Sequence, residues 1–206
     1  MTSQLDFNAI ASQLSPTRNV RVRSAGPELG GLLAPESVTA LPHGPYDAAF
    51  VITEGASASA VQTHAVPFVM AATAQLLDWN LGPIVSAERA GLALGDEIGA
   101  LMNAAMVVVL IGERVGATAT ESLSAYLTYA PRVGRHDVER HCIANICEAG
   151  LSYLAAAEKL AALMSRGRSA ARDITTADDT SDILGPDSID KLLDTEAGDL
   201  RCSKRR

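Results

Sequence analysis

Glu113 and Arg114 close an unbroken apolar run, Val107 to Ile111, in the stretch "VVVLIGERVG". A carboxylate in that place can accept hydrogen bonds from amide NH₂ groups. Arg132, Arg135 and Arg140, in "APRVGRHDVERHC", are candidates to meet an anion. The alternative is that Glu113 and Arg114 only cap a strand and pair with surface charges, as strand ends commonly do. Other chemistry is not signalled. There is no G-x-G-x-x-G after the first apolar run and no G-x-x-x-x-G-K, so neither a dinucleotide nor a Walker-type phosphate motif is present. Cys142 and Cys147 lie five apart without a second cysteine pair or fitting histidines, which argues against a zinc site. His64, His136 and His141 are scattered, and no Ser/His/Asp order emerges. Ser57, in "EGASAS", lacks the G-x-S-x-G frame of a nucleophile elbow and reads as a helix N-cap. The pattern is that of a binding chain without a complete catalytic constellation of its own.

The elements that must position these residues alternate between strand and helix. A run of five branched apolar residues without polar alternation suits a strand buried on both faces, as in a sheet covered by helices. "DAAFVIT" (47–53), "PIVSAE" (83–88), the Val107 run and "SAYLTYA" (124–130) read as strands. Helices are predicted over 57–77, where Pro67 should kink or divide the element, over 95–104, and over 150–166 with Ser152 as N-cap. Asp96 and Glu97 are expected at the positive N-terminal end of the middle helix. Strands alternating with helices predict an α/β fold, a doubly wound, mostly parallel sheet of Rossmann-like type. Open sheets of that type place ligands outside the carboxyl ends of the strands, where "TEGAS", "SAERAGL" and "GERVGATATES" fall.

Three regions follow from this pattern: a partly helical N-terminal segment (1–45), the Rossmann-like domain (46–170) and an acidic tail (171–206). Leu5, Ile10 and Leu14 have the spacing of a short amphipathic helix in the first. The Asp-rich tail shows no periodic apolar face and is expected to be disordered. With 206 residues, 48% of them hydrophobic, the chain can bury one sizeable core. The net charge of -7 argues against non-specific nucleic-acid binding. No apolar stretch approaches the roughly 18 residues a membrane helix needs, and "MTSQLDFNAIASQL" lacks the pattern of a secretory signal. An odd number of cysteines, three, points to a reducing cytoplasm rather than a disulfide framework.

One resemblance is specific. "GDEIGA", "VVLIGER", "ESLSAYLTYAPR" and "CIANI" arrive in the order and spacing of the small (light) subunit family of ethanolamine ammonia-lyase. The resemblance runs from about Arg23 to Arg166 and is strongest from Leu92 to Ile146. It implies a subunit of an adenosylcobalamin-dependent lyase that converts ethanolamine to acetaldehyde and ammonia. In that family the large subunit is a barrel carrying the substrate site, and the small subunit covers the cobalamin from the other side. Six large and six small subunits assemble, free in the cytoplasm or inside a bacterial microcompartment. Without the resemblance, a stand-alone small-molecule-binding module or a truncated, non-catalytic paralogue would be the competing readings.

The resemblance also implies three cobalamin contacts: Leu92, Glu113 and Cys142. Read from the sequence alone, Leu92 and Cys142 serve equally well as core packing, and Cys147 is assigned to packing. The chain departs from the family pattern in several places. Val115 stands for the proline of Gly-Glu-Arg-Pro-Gly, Glu54 for an aspartate and Ala56 for a leucine after the first strand, Gly91 for an arginine, and Ala144 for a serine. Much of the family's N-terminal helical region has no counterpart.

Overall fold

A computed structural model describes residues 5–26, 32–88, 90–115 and 120–177 of the chain. In chain order the elements are α1 (Phe7–Gln13), β1 (Asn19–Arg23), α2 (Pro35–Ala40), β2 (Tyr46–Gly55), α3 (Ala58–Ala74) and β3 (Ile84–Glu88). They continue with α4 (Leu92–Leu101), β4 (Ala104–Val115), β5 (Thr120–Tyr129), β6 (His141–Ile146) and α5 (Tyr153–Ala177). Six strands form one sheet in the order β1-β3-β2-β4-β5-β6.

The sheet is mixed. β1, β3, β2 and β4 run parallel, whereas β5 is antiparallel to β4 and β6 is antiparallel to β5. This corrects the expectation that the "SAYLTYA" strand continues a parallel sheet. A parallel pair needs a crossover of about a dozen residues or more, and the link from Val115 to Thr120 is too short for one.

Alternation along the strands separates two cores. Ala48, Phe50 and Ile52 of β2, with Met106, Val108 and Leu110 of β4, face α1, α3 and α5. Ala49 and Val51, with Val107 and Val109, face the opposite way and pack under α4. The Val107–Ile111 run lacks polar alternation because both of its faces are covered. Each such side chain, taken from water to full burial, contributes roughly 1.5–3 kcal/mol.

Local signals set the helix ends. The Asp6 side chain accepts from the backbone N–H groups of Asn8 and Ala9, each at 3.0 Å, and starts α1. Leu5, Ile10 and Leu14 are buried along it as their spacing predicts. Ser57 caps α3 by accepting from Ala60 N at 3.1 Å. Ser152 caps α5 through Ala155 N at 3.3 Å. α3 passes through Pro67 undivided, ending at Ala74 rather than near 77.

α4 begins at Leu92, three residues ahead of the predicted start at Gly95, after an extended Gly91 (φ -117°, ψ -171°). Asp96 and Glu97 therefore sit beyond the first turn and answer to side-chain and loop partners, not to the helix end. Glu97, for example, accepts from Leu33 N at 3.0 Å. The predicted acidic tail opens as helix, because α5 continues to Ala177. Its remainder, 178–206, lies outside the described residues, as do 116–119 of the "GERVGATATES" loop and Arg89 of "SAERAGL".

Candidate functional site

β3 and β4 lie on either side of β2. The chain leaves β2 through α3 on one face and reaches β4 through α4 on the other. Connections that part in opposite directions leave a crevice beyond the carboxyl ends of the two central strands. A pocket of about 570 Å³ occupies it, with Ala56, Leu92, Gly112, Glu113, Tyr126 and Asp137 in its lining.

Gly112 makes the floor possible. A Cβ there would lie 1.9 Å from the Ser57 carbonyl oxygen. The Gly112 carbonyl accepts from Ala56 N at 2.7 Å and Ser57 N at 3.2 Å, so the β2–α3 turn rests directly on β4. Gly91, at the rim, faces open space.

Glu113 and Arg114, adjacent in sequence, point to opposite faces of β4, as successive strand residues must. Arg114 turns across the hairpin to Glu121 at 2.7 Å. Its guanidinium holds the half-buried Glu121 carboxyl below the ordinary range. Pairing with a surface charge, the plain alternative, is thus what Arg114 does. Glu113 instead takes a hydrogen bond from the Tyr126 hydroxyl at 2.5 Å on the α4 side of the sheet.

Leu92 is the first residue of α4, half-buried, and it shares the pocket with Glu113. Cys142 sits on β6 directly opposite Tyr126, half-buried against the core beneath α4, and is not part of the pocket lining. The fold therefore brings Leu92 and Glu113 into one cavity and sets Cys142 one strand further out on the same face. Cys142 and Cys147 form no disulfide among the described residues, and Cys147 is buried.

Two of the three arginines considered as anion ligands are turned inward. Arg135 donates to the carbonyls of Tyr129 (2.8 Å) and Ala130 and pairs with Glu139. Arg140, 2% exposed, pairs with Asp96 and with Asp137, the latter at 2.6 Å. Asp96 is 1% exposed; burial pushes its carboxyl above the ordinary range while Arg140 pulls it back. These guanidiniums hold the 131–140 connection against α4 and β5. Arg132 alone of the three is exposed.

A larger hollow of about 710 Å³ adjoins the first through Ala56, at the ends of β1, β3 and β2. Its arginines are already matched, Arg21 by Glu88 and Arg23 by Glu36 at 2.6 Å. The expected contact residues do not meet there, and the smaller pocket is the better candidate. Among the described residues, no three or more His, Cys, Asp or Glu side chains gather to hold a metal ion, and no helix is long and apolar enough to cross a membrane.

Sequence reasoning missed Tyr126, Gly112 and Asp137. Tyr126 had a usable signal: it is the inward aromatic of an alternating strand, and a buried phenol needs a polar partner. Asp137 had none, because only the fold carries it to the pocket.

Comparison with known proteins gives a consistent result. A family model described as ethanolamine ammonia-lyase light chain (EutC) matches residues 3–173. The ethanolamine ammonia-lyase small subunit of Pseudomonas syringae pv. tomato is 44% identical over 146 residues, covering 67% of this chain and 51% of that protein. Its counterpart in Azotobacter vinelandii is 45% identical over 146 residues, with 67% and 54% covered. That of Bradyrhizobium diazoefficiens is 47% identical over 155 residues, with 72% and 59% covered. The chain thus spans little more than half the length of these relatives.

Proposed function

The chain belongs to the ethanolamine ammonia-lyase light-chain family, and from that membership we propose that it is the small subunit of an adenosylcobalamin-dependent lyase. On this reading a large catalytic subunit turns ethanolamine into acetaldehyde and ammonia, and this chain helps it to bind and enclose the cofactor. The two chains would assemble as six large and six small subunits in the cytoplasm, free or within a bacterial microcompartment. The Rossmann-like description of the domain rests on the four parallel strands with helices on both faces, to which the β5–β6 pair is added.

The observation that carries the reading is the meeting of Glu113 and Leu92 in one pocket at the ends of β2 and β4. The donor set suits a large ligand edged with primary amides. Glu113 supplies a carboxylate acceptor, with its geometry held by the Tyr126 hydroxyl. Leu92 and Ile111 supply apolar surface. Gly91 provides no side-chain cap for α4 and faces open space at the rim. Adenosylcobalamin, when bound, supplies the radical chemistry of the lyase. The small chain's own residues bind the cofactor's periphery, orient it, and exclude water from the face opposite the large subunit. Cys142 adds to the outer part of that face from β6.

The test is co-expression with a large subunit, followed by an assay of acetaldehyde formed from ethanolamine with added adenosylcobalamin. Turnover is expected from the pair and not from this chain alone. Turnover by the chain alone, or a soluble chain that pairs with no large subunit, would refute the proposal.

A further inference from the structure

We propose that Asp137 is a further cofactor-contacting residue, a second carboxylate acceptor for amide groups of adenosylcobalamin, held at the pocket rim by the positioning residue Arg140. This rests on the function proposed above. It starts from an inversion in the 131–140 connection. Val133 and Val138 are 65% and 63% exposed, while Arg135 and Arg140 are 6% and 2% exposed. A solvated loop would place these residue types the other way round. The arginines are therefore used as internal fasteners, and what they fasten becomes informative.

Arg140 holds two carboxylates at once. One guanidinium nitrogen donates to Asp96, buried in α4, and to the Arg135 carbonyl at 3.2 Å. The other donates to Asp137 Oδ1 at 2.6 Å. Asp96 is buried with the guanidinium, whereas the side chain of the second carboxylate remains 50% exposed. It lies in the lining of the pocket that contains Glu113. Arg114, at the same mouth, is matched by Glu121.

Glu113 and Asp137 thus place two carboxylates in the lining of one pocket. Such a lining disfavours a phosphate and favours hydrogen-bond donors, and the primary amides of a cobalamin are donors of that kind. Because Arg140 reaches Asp137 from within the fold, the carboxylate arrives oriented, without ordering a long side chain on binding. The same guanidinium ties this rim to α4, the helix that carries Leu92, so the spacing of the two walls is set by one buried group.

The experiment measures adenosylcobalamin affinity for the complex reconstituted with a large subunit, using Asp137→Asn, Arg140→Lys and both together. Gel filtration and thermal melting of each complex accompany it. Asp137→Asn changes a half-exposed group, so pairing and melting are expected to hold while affinity falls roughly tenfold. Lysine keeps the charge of Arg140 but lacks the two-sided fork, and it is expected to lower affinity as much. The double variant should lose no more than Arg140→Lys alone, the mark of groups acting as one. Unchanged affinity in an intact Asp137→Asn complex overturns the proposal, as do losses that add in full. If Glu113→Gln also leaves affinity unchanged, the pocket reading itself fails; if Asp137→Asn alone is silent, only this inference does.

Discussion

The Tyr126 hydroxyl donates to Glu113 Oε1 at 2.5 Å, across the antiparallel pair of β4 and β5. Tyr126 is opposite Val109 in register, so its ring leans along the strand to reach Glu113 at the sheet's end. The phenol is 7% exposed and fixes the carboxylate from the core side. Tyr126→Phe keeps the ring and removes the donor. Its expected cost is about 0.5–1.5 kcal/mol of stability and a several-fold loss of cobalamin affinity in the assembled complex. Denaturant titration and absorbance titration check the two effects separately.

Gly112→Ala tests the floor of the pocket. The added methyl would fall 1.9 Å from the Ser57 carbonyl oxygen, which is backbone and cannot swing aside. The β2–α3 turn must lift from β4, breaking the hydrogen bonds that Ala56 and Ser57 make to Gly112. Overpacking of this kind costs about 1–3 kcal/mol. A thermal melt should show the loss, and an unchanged melting temperature would contradict the close approach.

His64 should make stability depend on pH. Its Nδ1 lies 2.8 Å from the Tyr153 hydroxyl where α3 meets α5. Burial pushes its pKa below the ordinary value, with Glu148 and Glu121 opposing the shift. In the unfolded chain it takes up a proton near the ordinary value of about 6.5. Below that value the unfolded state binds more protons, so stability falls as pH falls; above it the contribution is fully present. Between about pH 7.5 and about pH 5.5 the wild type is expected to lose more melting temperature than His64→Gln. Parallel slopes would contradict this role for His64.

The sequence made the centre of the fold legible and its edges less so. The Val107–Ile111 run and "DAAFVIT" carry enough apolar weight to identify β4 and β2, and Ser57 and Ser152 mark helix starts by capping chemistry that is local. β1 reads "NVRVR" and β6 "HCIANI", both at sheet edges where only one neighbour buries them. Too little apolar pattern survives there to show a strand. The antiparallel turn of β5 follows from the short link between Val115 and Thr120, which interrupts the βαβ rhythm of the preceding elements. In the site, Glu113 stood out because a charge ends an apolar run. Arg135 and Arg140 misled because a basic cluster reads as a solvated or anion-binding face. Their partners Tyr129 and Asp96 are joined to them only by folding, and no spacing in the chain reveals that.

The central claim is that the strand-end pocket holds the periphery of adenosylcobalamin through Glu113, and the direct measurement is cofactor affinity of the two-subunit complex built with Glu113→Gln. Glutamine preserves shape and still offers Tyr126 an acceptor oxygen, so fold and pairing should survive, because the apolar run before it makes the core. Its NH₂ end would face donors on the cofactor and replace a charge-assisted bond with a mismatch. A loss of about 1–3 kcal/mol is expected, or roughly 5- to 150-fold in affinity. Gel filtration confirms that the complex is intact. Wild-type affinity in an intact Glu113→Gln complex would contradict the account and leave Glu113 as an ordinary strand-end charge.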